Sequence, residues 1–163
     1  MSGTRPHWVK PRVIQLVINC SIGDNAQKLN TTRLKLTEFF EFEPTPIVAK
    51  STVKKFDLRR GRLMGYKYEF RGRKAADVFK RVASTLKLGD KSIREGMANW
   101  GVPEYSMIND YRYAPMIPNF GMTFHAIFAL PGHRVAYRAR GRYRVGHSPS
   151  NGEIYAYIKS MAS

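Results

Sequence analysis

The chain has 163 residues, 28 of them Lys or Arg and 12 Asp or Glu, for a net charge of +16 at neutral pH, and 43% of it is hydrophobic. That length and apolar content suit one domain with a real core, and the charge calls for a polyanionic partner. A single cysteine excludes an intrachain disulfide and a cysteine-cluster metal site, and no apolar run reaches the ~18 residues of a membrane span, which favours nucleic acid over a bilayer. No apolar core of signal-peptide length is expected at the N-terminus.

Residues 13–19 form an apolar, β-branched run ending at the turn signal Ser21-Ile22-Gly23-Asp24, which predicts a strand. Asp24 or Asn25 can cap a helix reaching to about Phe40, whose apolar positions Leu29, Leu34, Leu36, Phe39 and Phe40 have only roughly helical spacing. Pro44 and Pro46 interrupt the chain before a short strand at 47–49, and a basic loop follows at 50–64. A strand at about 64–70 leads through the turn Arg71-Gly72-Arg73 into a second helix at 74–86. There Ala75, Val78, Phe79 and Val82 recur at helical spacing and mark the buried side. Residues 87–100 are weakly patterned and read as loop, 101–108 as an alternating strand, and 111–119, with Pro115 and Pro118, as a surface loop. A strand at 122–130 ends at the turn Pro131-Gly132, an Arg-rich extension occupies 132–147, and Asn151 can cap a last helix at 152–160. This order predicts a single α+β domain over 1–163 with an N-terminal tail at 1–10, a mixed, mainly antiparallel sheet, and helices packed on one face.

Two tracts carry the charge. Between Lys50 and Lys74, ten of twenty-five residues are Lys or Arg, against Asp57 and Glu69. Val53, Phe56, Leu58, Leu63 and Met64 punctuate the run, so it reads as a folded segment with its cations outside rather than a disordered tail. A solvated basic face is the plainer reading; the charge of the whole chain argues for a polyanion surface. Arg71, Arg73 and Lys74 fall at the start of the second helix, where free N–H groups and the helix dipole also favour phosphate. In the second tract Arg138, Arg140, Arg142 and Arg144 alternate with Ala, Gly and Tyr, so a β-ribbon would align them on one face. With Arg134 they can fork onto phosphates, while Tyr137 and Tyr143 stack on bases or prop the ribbon.

Catalysis has little to stand on. His7, His125, His133 and His147 lack zinc-type spacing, no glycine-rich phosphate loop occurs, Cys20 has no neighbouring His, and the acids are scattered. No catalytic residue, metal or cofactor is expected, and His125 reads as structural.

Pro11-Arg12-Val13 leading to Ile18-Asn19-Cys20-Ser21-Ile22-Gly23-Asp24, then Pro46, Lys50, Phe56-Asp57-Leu58-Arg59-Arg60-Gly61, Met64-Gly65 and Phe70-Arg71-Gly72, together resemble one ribosomal protein family. Trp100-Gly101-Val102 with Glu104, Tyr113, Phe120-Gly121-Met122 and Pro131-Gly132 extend the likeness across residues 9–160. The family is the universal large-subunit protein of the central protuberance that binds 5S rRNA, numbered five in bacteria and eleven in eukaryotes. The later segments are more similar to its archaeal and eukaryotic branch. The resemblance implies rRNA binding by Arg12, Asn19 and Lys50, alongside the cations already named. It also implies that Lys54, Lys55, Phe56, Arg59, Arg60 and Arg62 form the loop that reaches the P-site tRNA. Tyr111, Arg112, Tyr113, Met116 and Asn119 match the loop that bridges to the small subunit.

The implied partners are 5S rRNA and/or large-subunit rRNA, P-site tRNA, neighbouring central-protuberance proteins and a small-subunit head protein, with no membrane. An extra-ribosomal RNA-binding or RNA-chaperone protein is the alternative, and an RNA-processing enzyme a second class. The chain also departs from the family pattern. The segments at 47–53 and between the second helix and Gly101 are shorter, Pro44 stands where the family commonly has Gln, and Glu69 where it commonly has Thr. A carboxylate facing phosphate is repulsive, so either Lys67 or Arg71 is expected to engage Glu69, or the RNA at this face is rearranged. Such departures point toward a mitochondrial rather than a cytosolic large subunit.

Overall fold

The computed structural model describes residues 10–22, 26–56, 58–85, 92–94, 96–108, 120–134 and 148–162. Among these residues six strands form one sheet: β1 (Arg12–Ser21), β2 (Thr45–Val48), β3 (Leu63–Arg71), β4 (Ile93–Arg94), β5 (Met97–Val102) and β6 (Gly121–Ala129). Their order is β2-β3-β1-β6-β5-β4, and every neighbouring pair is antiparallel. Three helices among the described residues, α1 (Ala26–Phe40), α2 (Arg73–Val82) and α3 (Asn151–Ala162), complete the α+β architecture expected from the sequence.

The alternation of strand side chains divides the molecule into two faces. Leu16, Ile18 and Cys20 of β1, Tyr68 and Phe70 of β3, Met122, Phe124, Ala126 and Phe128 of β6, and Ala98, Trp100 and Val102 of β5 all point into one core. The helices close that side: α2 crosses β1 and β3 with Ala75, Val78, Phe79 and Val82 buried, as their spacing predicts. Phe79 meets Trp100 and Phe128 edge-on at centroid distances of 6.0 and 5.6 Å, and Trp100 stacks on Phe124 at 5.0 Å. The aromatic layer locks α2 to β5 and β6 as well as to the β1–β3 half that it crosses.

Four local expectations are corrected. The strand expected at 101–108 is β5, which begins at Met97 inside the segment read as loop; Tyr105–Met107 is a 3₁₀ turn. Ala98, Asn99 and Gly101 have poor strand propensity, and the alternating burial of Ala98, Trp100 and Val102 decides the element instead. Leu34, counted on the buried stripe of α1, is 64% exposed, and Thr32 joins Leu29, Leu36 and Phe40 inside. The cap of α3 is Ser150, not Asn151: Glu153 N–H donates to Ser150 Oγ at 3.3 Å and Ser150 N–H donates to Glu153 Oε2 at 2.8 Å, a reciprocal capping box. The strand expected at 47–49 starts at Thr45 and includes Pro46, which an edge strand accommodates because its outward N–H needs no partner. Asp24 and Asn25, the expected caps of α1, lie outside the described residues.

Cys20 is fully buried between Tyr66 and Met122 in the sheet register, and burial pushes its thiol from 9.0 to about 12. A thiol that stays protonated in the fold but ionises at its ordinary value when unfolded supports the fold below about pH 9, and that support is lost as the pH rises toward 12. The native protein should therefore react with a thiol–disulfide exchange reagent at pH 8 at least about a hundredfold more slowly than the urea-unfolded chain. Equal rates would show that Cys20 is accessible.

Candidate nucleic-acid interface

Among the described residues the opposite face of the sheet carries no helix, and its composition differs sharply from the core. Register places Thr45, Lys67, Asn19, Thr123 and Gly101 in one row across five strands. The next row is Glu69, Val17, His125 and Asn99, and a third is Arg71, Gln15, Ile127 and Met97. Asn19 thus sits at the centre, flanked by Lys67 and Thr123. A flat, polar, half-buried β surface of this kind offers hydrogen-bonding groups at the ~4.8 Å strand spacing.

Glu69 is the only acid in any strand among the described residues, and it is tied down locally. Gln15 Nε2 donates to its Oε1 at 2.9 Å, and Arg71 donates to the same oxygen from Nε at 3.0 Å and from a terminal nitrogen. Lys67 Nζ lies 3.5 Å from Oε2. Both cations expected to engage this carboxylate do so. The Arg71 hydrogen bond holds its pKa below 4.5, against an opposing effect of burial, and the charges of Arg71 and Lys67 add to the lowering. A lowered carboxylate pKa contributes stability above the ordinary value and loses it as the pH falls through the folded value. Wild type should therefore exceed Glu69→Gln in urea midpoint at pH 6, and the difference should shrink by pH 3. A gap independent of pH would assign the effect to packing rather than charge.

The 50–62 segment is a built extension of the β2–β3 hairpin. Ala49 N–H donates to Arg62 O at 2.9 Å, Gly61 N–H to Ala49 O at 2.9 Å, and Val53 and Leu58 exchange both backbone bonds at 2.9 and 3.2 Å. Arg60 N–H caps onto Thr52 Oγ1 at 3.2 Å, and Gly61 turns the chain at φ 87°. Lys50, Lys54, Lys55, Arg59 and Arg60 project as exposed residues from this frame, with Arg62 half-buried at its base. The side chain of Phe56 lies outside the described residues.

The remaining predicted cations are dispersed. Arg73 and Lys74 open α2, after Gly72, whose N–H donates to Ile14 O at 3.0 Å. Lys74 turns to the helix layer, with Nζ 5.8 Å from the Phe42 ring centroid, so the structure separates it from the open face. Arg12 starts β1 beyond the irregularity between Val13 and Gln15, and its charge bears on Tyr157 of α3. Arg134 is exposed after the turn at Gly132, which has φ 88°. Arg138, Arg140, Arg142, Arg144, Tyr111, Arg112, Tyr113, Met116 and Asn119 lie outside the described residues.

The sequence reading missed Gln15, Thr123, His125 and Asn99 as members of the face. His125 Nδ1 and Asn99 Oδ1 are 2.8 Å apart, so the ring is held by the neighbouring strand. Strand parity was the available signal: residues two apart from Asn19 on β1 share its face.

Among known proteins, the chain is 33% identical over 152 residues to the large ribosomal subunit protein uL5 of Archaeoglobus fulgidus, covering 90% of this chain and 85% of that one. It is 31% identical to uL5 of Tetrahymena thermophila over 143 residues, covering 84% and 81% of the two chains. The chain belongs to the uL5 family. It is a structural constituent of the large ribosomal subunit. The uL5 protein of Aeropyrum pernix matches at 30% identity over 143 residues, with 86% of this chain and 73% of the relative covered. No family model matches the chain. Within this uL5 chain, among the described residues no group of His, Cys, Asp or Glu could hold a metal, and no helix is long and apolar enough to cross a membrane.

Proposed function

We propose that the open face of the sheet binds rRNA, 5S rRNA or its equivalent, in the central protuberance. The β2–β3 extension reaches outward from it to the P-site tRNA. The observation that carries this reading is the polar face centred on Asn19, whose one carboxylate among the described residues is neutralised by Lys67 and Arg71, beside a loop of exposed cations. Acids instead gather on the helix side, at Glu38, Glu41, Glu43 and Asp77, so the two sides differ in the partner they favour. Arg134, Arg138, Arg140, Arg142 and Arg144 add phosphate contacts, and residues 109–119 meet a protein of the small-subunit head. Neighbouring central-protuberance proteins cover other surfaces. The departures at Pro44 and Glu69 support an organellar ribosome.

Sedimentation with ultraviolet cross-linking tests the reading. The protein should travel with large subunits at physiological salt, and cross-links from β1, β3 and β6 should fall in 5S rRNA or the RNA that replaces it. Recovery of the bulk in ribosome-free fractions would favour an extra-ribosomal RNA-binding role. Cross-links confined to α1 and α2 would overturn the assignment of the face.

A further inference from the structure

Glu69 is oriented more firmly than charge neutralisation alone requires. Its Oε1 is taken by Gln15 and Arg71, whereas among the described residues Oε2 has only Lys67, at 3.5 Å, and keeps acceptor capacity. Across Val17, two strands away, His125 Nδ1 faces the amide oxygen of Asn99. An amide oxygen only accepts, so Nδ1 donates to it, and in the Nδ1–H tautomer Nε2 is an acceptor. In that tautomer the row sets two acceptors about 10 Å apart, twice the strand spacing, with Val17 between them. Phosphate offers no donor and is disfavoured here. In RNA the donors are base N–H groups and the ribose 2′-OH.

We propose that Glu69, fixed by Gln15 and Arg71 and faced across Val17 by His125, reads the Watson–Crick edge of an unpaired guanine. This rests on the open face being the RNA-binding face. Guanine presents two adjacent donors, N1–H and the N2 amine, which can converge on the lone-pair directions of Oε2, since Oε1 is taken by Gln15 and Arg71. Adenine and cytosine place a ring-nitrogen acceptor beside their amine, and uracil flanks its N3–H with two carbonyls, so each sets a lone pair against the carboxylate. His125 Nε2 accepts the ribose hydroxyl or a further base donor. Glu69 then selects a base rather than weakening an inherited phosphate contact.

The experiment uses the full chain with uridine heptamers carrying one central guanosine, inosine or adenosine, followed by fluorescence anisotropy and by amide NMR shifts. Inosine keeps N1–H and lacks only the N2 amine. Wild type should prefer guanosine over inosine and adenosine by about tenfold, the scale of one good bidentate contact. Glu69→Ala should abolish that preference and bind all the heptamers more tightly, because Arg71 and Lys67 are released to phosphate. Equal wild-type affinity for guanosine and inosine, or a preference that survives in Glu69→Ala, would overturn the proposal. Shifts at Gln15, Asn19 and Thr123 without base discrimination overturn the guanine assignment alone. Absence of shifts at those residues with every heptamer overturns the RNA-binding face as well.

Discussion

Gly65→Ala should lower stability by about 3 kcal/mol, at the upper end of what overpacking a close contact costs. A β-carbon at Gly65 would lie 2.1 Å from Cys20 O, 3.2 Å from Cys20 C and 3.3 Å from Ser21 Cα. All three are backbone atoms of the neighbouring strand, so no rotamer change relieves the clash. The pair that must separate is β1–β3, at the Ser21–Gly65 end of their register and next to the Ile22 N–H bond to Met64 O. Gly101→Ala is the matched control on the same face, because its nearest neighbour, Met122 O, is 3.9 Å away. Thermal unfolding should place Gly65→Ala roughly 6–12 °C below wild type, given about 2–4 °C per kcal/mol for a chain of this size. Gly101→Ala should stay at or slightly above wild type, since alanine restricts the unfolded chain more than glycine does. A Gly65→Ala midpoint within about 2 °C of wild type would mean the two strands yield easily there.

The fold was legible wherever one short stretch contained its own answer. The run from Gln15 to Asn19 alternates between core and open face over a single strand, and the spacing of Ala75, Val78, Phe79 and Val82 needs only its own helix to be read. β5 was legible only in part. Its inward residues Ala98, Trp100 and Val102 alternate, but two small residues and Asn99 blur the local preference, and β6 is what makes it a strand. Leu34 went the other way: an apolar residue in an amphipathic helix reads as core until the register of the helix on the sheet is known. The candidate site divides along the same line. Lys67, Glu69 and Arg71 share a face by simple parity, so their engagement was predictable. Gln15 reaches Glu69, and His125 meets Asn99, only because strands distant in the chain are brought into register, and no local pattern encodes that register.

Replacing Lys54, Lys55, Arg59 and Arg60 together by Ala should weaken binding to tRNA on the order of a hundredfold near physiological salt, while leaving the fold intact. All four are exposed, and the backbone bonds that shape the extension, from Ala49 to Arg62 and between Val53 and Leu58, use none of their side chains. Each cation that neutralises a phosphate contributes about 0.7–0.9 to the slope of log affinity against log salt, so the slope should flatten by roughly three units. The loss should be independent of RNA sequence, because phosphate contacts position the protein without reading bases. Arg62 is left in place because it is half-buried at the base of the extension. Lys35, paired with Glu38 at 2.9 Å on α1, and the exposed Lys80 of α2 supply the contrast. Removing those two also lowers the net charge, but on the side where the acids gather. If the loop cations act by position, the Lys35→Ala, Lys80→Ala variant keeps the wild-type slope. If only total charge matters, it loses about half of what the loop variant loses, and the loop is not a distinct contact surface.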